Sequence, residues 1–168
     1  MDELSEGLSA ASRRKRRIVL TALTLVTLGF NGVLIYLLAG AGEDAPVDPK
    51  VLSTEARVNV LRLCSDVQSF RDEHGVFLAA GPVPVGAPRG GRAVAFVPDE
   101  NFRRLGFSPG ERVHLQYQVV VQETPLGEAE VTCFARADRD GDGQVAVYSV
   151  TLDANGMTSA VKVEREEE

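Results

Sequence analysis

The pattern of apolar and polar residues changes several times along this chain. Residues 1–12 are small and polar. Residues 18–41 form one apolar stretch in which Tyr36 is the only ionisable side chain and Asn31 the only strongly polar one. At about 1.5 Å rise per residue, a helix of that length crosses a hydrocarbon core of about 30 Å. From Asp48-Pro49 the pattern becomes helical. Asp suits an N-cap and Pro the first turn, and Ala56, Val60, Leu63, Cys64, Val67 and Phe70 recur at three- and four-residue steps until Gly75 supplies a stop. Residues 79–92, rich in Gly and Pro, read as a loop.

Beyond them the period falls to two. Arg92–Val97 reads as a short strand and Asp99–Leu105 as a helical turn. Val113, Leu115, Tyr117 and Val119 alternate with His114, Gln116 and Gln118, as in a half-buried strand. Glu128–Ala137 and Gln144–Leu152 give two further strands, and Thr158–Val163 a short last one, after the turn Asp153-Ala-Asn-Gly156. One helix followed by consecutive strands on short connections predicts an α+β domain, with the helix packed on an antiparallel β-meander. The organisation expected is therefore a basic tail (1–17), a transmembrane helix (18–41), a linker (42–48), a globular domain (49–163) and an acidic tail (164–168).

Charge fixes the sidedness expected of the span. Arg13-Arg14-Lys15-Arg16-Arg17 precedes it directly, and basic flanks stay in the cytoplasm. A single-pass protein of the bacterial inner membrane is expected, its N-terminus cytoplasmic and its domain periplasmic. The competing reading is a cleaved signal peptide, for which Ala39-Gly40-Ala41 offers small residues at a cleavage site; the apolar core is longer than the usual h-region. The net charge of −6 divides into +2 over residues 1–42 and −8 beyond. An acidic exported domain is a poor match for nucleic acid, whose phosphates it repels.

Cys64 and Cys133 are the only cysteines. In an exported domain they suggest one disulfide; the other reading is two small buried hydrophobes. Cys64 lies near the apolar stripe of the helix and Cys133 shares a strand face with Val131, so the two are expected close in space. Asp138, Asp140 and Asp142, with Gly143 next, match the first half of a calcium loop, with carboxylates at positions 1, 3 and 5 and Gly at 6. Gln144 would offer its backbone carbonyl at position 7. Position 12 is Ser149 rather than a bidentate Glu, so a Ca²⁺ site here would be weak. The competing reading is a solvated Asp-Gly turn. His74 and His114 have no Ser, Cys or Asp at a recognisable catalytic spacing and read as surface histidines. Gly86–Gly91 lacks the ending of a phosphate-binding loop. No enzymatic activity and no small-molecule substrate is expected.

Four blocks, in order, resemble the globular domain of bacterial type IV pilin-like proteins. They are Phe70-Arg-Asp-Glu-His-Gly-Val-Phe77, Phe102-Arg-Arg-Leu-Gly-Phe-Ser-Pro109, Val113-His-Leu-Gln-Tyr-Gln-Val119 and Phe134-Ala-Arg-Ala-Asp-Arg-Asp-Gly-Asp-Gly143. The standard prepilin peptidase motif is missing: the basic run leads into Ile18-Val-Leu-Thr with no Gly and no Glu. The resemblance implies a pilin-like exported domain and a structural or interaction role in the cell envelope, accessory to a type IV pilus or type II secretion machine. The partners it implies are the membrane, envelope proteins or further copies of itself. The alternative reading is a calcium-dependent extracytoplasmic ligand-binding or sensor module.

Overall fold

Helix α1, Pro49–His74, begins and ends where local chemistry says it must. The Asp48 carboxylate accepts a hydrogen bond from the Lys50 N–H at 2.7 Å, satisfying a donor that no preceding turn can reach. At the other end Gly75 takes φ 76°, and its N–H returns to Arg71 O. Leu52, Ala56, Val60, Leu63, Cys64, Val67 and Phe70 form the buried stripe. The computed structural model describes residues 46–123 and 129–166, all within one compact unit spanning 44–168. The basic run 13–17, the predicted span 18–41 and most of the linker lie outside the described residues. No helix among the described residues is long and apolar enough to cross a membrane.

A five-stranded antiparallel sheet receives that stripe, in the order β1 (Ala80–Val83), β4 (Gln116–Glu123), β5 (Ala129–Ala137), β6 (Ala146–Leu152), β7 (Lys162–Glu164). Register places Tyr117, Ala135 and Tyr148 in one row, Val119, Cys133 and Val150 in the next, and Val121, Val131 and Leu152 in a third. Because side chains alternate across a strand, these rows share one face, and that face meets α1. Ala135 between two buried tyrosines keeps the row within the thickness of the layer. The fold class is α+β, one long helix on an antiparallel sheet whose strands β4 to β7 run as a meander.

Where strands depart from expectation, long-range packing is the reason. Residues 79–92, expected as a loop, contain β1. Pro82 cannot donate to a ladder, so the segment fits only at a sheet edge. Ala80 pairs with Val119 and Val83 with Tyr117, so that Gly81 and Pro82 together oppose the single residue Gln118, and Gly81, at φ 76°, forms the bulge. The strand expected at 92–97 shortens to β2, Val94–Ala95, paired in a separate two-stranded sheet with β3, Arg112–Val113. The run expected as one strand from Val113 to Val119 therefore bends at His114–Leu115. Its buried apolar set is nonetheless Val113, Leu115, Tyr117 and Val119, as the alternation predicts; Gln116, expected on the solvent face, is buried as well, its Nε2 donating to Pro84 O and Val85 O at 3.0 and 2.9 Å. The last strand is Lys162–Glu164 rather than 158–163. It takes in Glu164, the first residue of the acidic tail, while residues 158–159 touch β6 separately, through the Leu152–Thr158 bridge and Ser159 N–H to Thr151 O at 2.8 Å.

A second part of the core lies under α2, Glu100–Leu105. Phe96, Phe102, Phe107 and Tyr117 meet there edge to face, Phe107 and Tyr117 at 5.1 Å between centroids. Asp99 joins the two parts. One carboxylate oxygen caps α2 through Phe102 N–H at 2.7 Å, and the other accepts Gly81 N–H of β1 at 2.9 Å.

Candidate metal centre

The turn from β5 to β6 holds the acidic run. Asp138 is 2 % exposed, a position a carboxylate occupies only with partners. Its Oδ1 accepts Gly141 N–H at 2.8 Å and its Oδ2 accepts Gly143 N–H at 3.2 Å. Gly141 and Gly143 have φ 89° and 96°, so glycine is what lets the backbone fold back over the carboxylate. Asp140 Oδ1 accepts Asp142 N–H at 3.0 Å, and Asp142 Oδ1 accepts Gln144 N–H at 2.7 Å. These are Asx turns, which need only short polar side chains at alternate positions.

One carboxylate oxygen from each of Asp138, Asp140 and Asp142 lies within 4.8 Å of the others. The three converge, and the cluster could hold a metal ion. An oxygen that already accepts an N–H keeps a second lone pair for a cation. The Gln144 side chain is turned back, its Nε2 on Asp142 Oδ2 at 3.1 Å, so any ligand it offers is the backbone carbonyl. The Gln144 backbone N–H, helped by that side chain, holds the Asp142 carboxyl below the usual carboxylate range. Ser149 stands within β6, paired with Phe134 and Lys162, and belongs to the ladder rather than the loop.

Two arginines stand at this loop: Arg139 within the acidic run itself, and Arg89, whose approach was not evident from the sequence. Arg89 Nε lies 3.5 Å from Asp138 Oδ2. The Gly-rich loop 86–91 is fastened alongside, Asp138 N–H to Pro88 O at 3.2 Å and Gly90 N–H to Asp138 O at 2.7 Å. Arg139 points away, to the carbonyl of Glu166. Nearly fifty residues separate Arg89 from Asp138, and no local pattern signals such a meeting.

The remaining candidates fall elsewhere. Cys64 and Cys133 are brought to disulfide distance beneath the sheet, Cα atoms 5.7 Å apart, as expected from the stripe and the strand face. His114 Nδ1 is 3.2 Å from Glu55 Oε2. Beside it Asn59 Nδ2 donates to Tyr117 Oη at 2.8 Å, and burial, more than the nearby Glu55 charge, pushes that phenol above the ordinary tyrosine range. His74 stacks on Phe70 at 4.1 Å and closes the end of α1. No protein-family model matches this chain, and no curated protein or solved structure matches it either.

Proposed function

We propose that this chain is a membrane-anchored structural and interaction protein of the bacterial cell envelope, pilin-like in its exported domain. In this reading it serves as an accessory to a type IV pilus or type II secretion machine and carries out no catalysis. The observation that carries the reading is the pairing of Cys64 with Cys133. A disulfide inside a small domain belongs to an oxidising compartment, and the basic run 13–17 ahead of the apolar stretch 18–41 directs the domain to that side of the inner membrane. A long helix laid on an antiparallel meander is the architecture that the resemblance to pilin-like proteins implies. A reporter active only in the periplasm, fused after Glu168, tests the orientation. The fusion should be active, and neutral replacements at residues 13–17 should lower its activity severalfold. An inactive fusion at normal expression overturns the proposal.

The convergence of Asp138, Asp140 and Asp142 favours a second reading, a calcium-dependent extracytoplasmic binding or sensor module. Three carboxylates on one turn suit a hard cation, and a loop without a bidentate Glu suits the millimolar range of extracellular sites. Ca²⁺ there would fasten the turn between β5 and β6 and stabilise the folded state by mass action, about 1–3 kcal/mol at ten to a hundred times Kd. Millimolar CaCl₂ should raise the melting temperature, and Asp140→Asn should reduce the rise. An unchanged melt identifies the loop as a polar turn.

A further inference from the structure

The turn after β6 is folded around one carboxylate. Asp153 Oδ1 accepts the Asn155 and Met157 N–H groups at 2.9 and 2.8 Å, and Asp153 O accepts the Gly156 N–H at 3.0 Å. Such a return needs a residue in the left-handed region, and Gly156 supplies it at φ 82°. The glycine that the turn requires therefore follows an asparagine. Among the described residues Asn59 precedes Val60 and Asn101 precedes Phe102, and Asn155 is the one asparagine followed by glycine.

That order has a chemical consequence. The backbone nitrogen after an asparagine can attack the side-chain Cγ, and glycine, with no side chain, leaves that nitrogen unshielded. The bond from Gly156 N to Asn155 Cγ forms, the Cγ–Nδ2 bond breaks, and the Gly156 amide proton leaves with the side-chain nitrogen as ammonia. Water then opens the cyclic imide at either carbonyl. One product is aspartate; the other is isoaspartate, with the backbone routed through Cβ. Asn155 is exposed, and its side-chain amide has no hydrogen-bond partner among the described residues, so no contact fixes Cγ.

Two side chains of α1 stand against the turn. Gln68 Nε2 donates to Gly156 O at 3.2 Å, and Arg71 Nη2 donates to Ala154 O. A Cβ on Gly156 would lie 3.2 Å from Arg71 Nη1 and 3.3 Å from Gln68 Nε2, so both cover the flank that the missing side chain leaves open. The attacking nitrogen is itself tied through its proton to Asp153 O. Attack needs that proton released and the turn swung away from α1. The hydrogen bonds from Gln68, Arg71 and the Gly156 N–H together hold it back by about tenfold or more.

We propose that Asn155 is a modification site, converted through the cyclic imide to aspartate and isoaspartate, and that α1 sets the rate through Gln68 and Arg71. Either product adds a carboxylate next to the carbonyl that Arg71 holds. Isoaspartate also lengthens the backbone between Ala154 and Gly156 by one atom, which puts the two carbonyls out of step with Gln68 and Arg71.

Peptide mass spectrometry of the full-length chain in detergent, aged at mildly alkaline pH, tests this. Amide-to-acid conversion should appear at Asn155 and not at Asn59 or Asn101. It should run about tenfold or more faster in the guanidinium-unfolded chain than in the folded one, and the double variant Gln68→Ala, Arg71→Ala should bring the folded rate within about threefold of the unfolded rate. An unfolded chain that leaves Asn155 intact overturns the site. Equal rates in the folded and unfolded chains, or a double variant no faster than the wild type, overturn the control by α1. Should the double variant not melt cooperatively, hydrogen exchange at Gly156 in the wild type replaces it. Protection of about tenfold or more supports the proposal, and exchange at the rate of an unstructured peptide overturns it.

Discussion

Gly81 is the residue at which the two parts of the core depend on a missing side chain. Its φ is 76°, and a Cβ there would stand 2.6 Å from Tyr117 O and 2.9 Å from Phe102 Cε2. Its N–H is also bound to Asp99. Gly81→Ala combines a left-handed backbone penalty with overpacking against backbone, so we expect a loss of about 2–5 kcal/mol in urea unfolding. Gly86→Ala, in open space and at an ordinary φ, should change stability by no more than about 0.5 kcal/mol. Similar values for the two would show that the Gly81 bulge relaxes freely. The sequence marks Gly81 only as one glycine of a Gly/Pro-rich stretch. What makes it special is the carbonyl of a residue thirty-six positions on, which no local pattern contains.

At the scale of elements, α1 and the strands β4, β5 and β6 follow from spacing, because each needs only its own periodicity and end signals to be recognised. Strand β1 does not: four residues containing Gly and Pro have no strand pattern of their own and pair because β4 offers an edge. The disulfide stands between these cases. The α1 stripe and the alternation of β5 place Cys64 and Cys133 on facing surfaces, but their level along the helix is set by packing. The bond closes a loop across a sequence separation of 69. In the chain-entropy model its loss costs about 4 kcal/mol. The chain carrying both Cys64→Ala and Cys133→Ala should unfold at a correspondingly lower urea midpoint, and reductant should move the wild type by a similar amount. A midpoint indifferent to both changes would mean that the reduced chain is held by packing alone.

For the whole molecule, acid has two opposing effects. Asp142 is held below the usual carboxylate range chiefly by the Gln144 N–H, Glu164 by Lys162, and Glu166 by the Ser53 hydroxyl and Arg57. A folded value below the unfolded one gives stability that is present above the unfolded pKa and lost as pH falls through the folded one. These three groups therefore destabilise the fold below about pH 4. Asp66 acts in the opposite sense. Burial raises its pKa, Arg62 only partly offsetting this, and its Oδ2 has no hydrogen-bond partner among the described residues. Its contribution favours the acid side and is lost as pH rises through the carboxylate range. Asp66→Asn should therefore raise stability at pH 7, by less than about 1 kcal/mol because solvent screens the site, and the gain should vanish below about pH 4. Melting curves from pH 3 to 7 check this; a gain independent of pH would assign the effect to packing.

The sequence by itself determined the α1 boundaries, the meander, the apolar stripe of α1 from Ala56 to Phe70 and the order of the Asp turn. Each rests on contacts within a few residues, where helix and strand periods and capping groups act. Tertiary structure alone decided that β1 closes one edge of the sheet and that β2 draws β3 away from β4. It also decided that Arg89 lies against Asp138 and that Glu166 reaches Arg57 across 109 positions. Those contacts need loops to close before any interaction offsets their entropy. Which surfaces then meet depends on the shape of the whole packed layer, which no stretch of sequence carries alone.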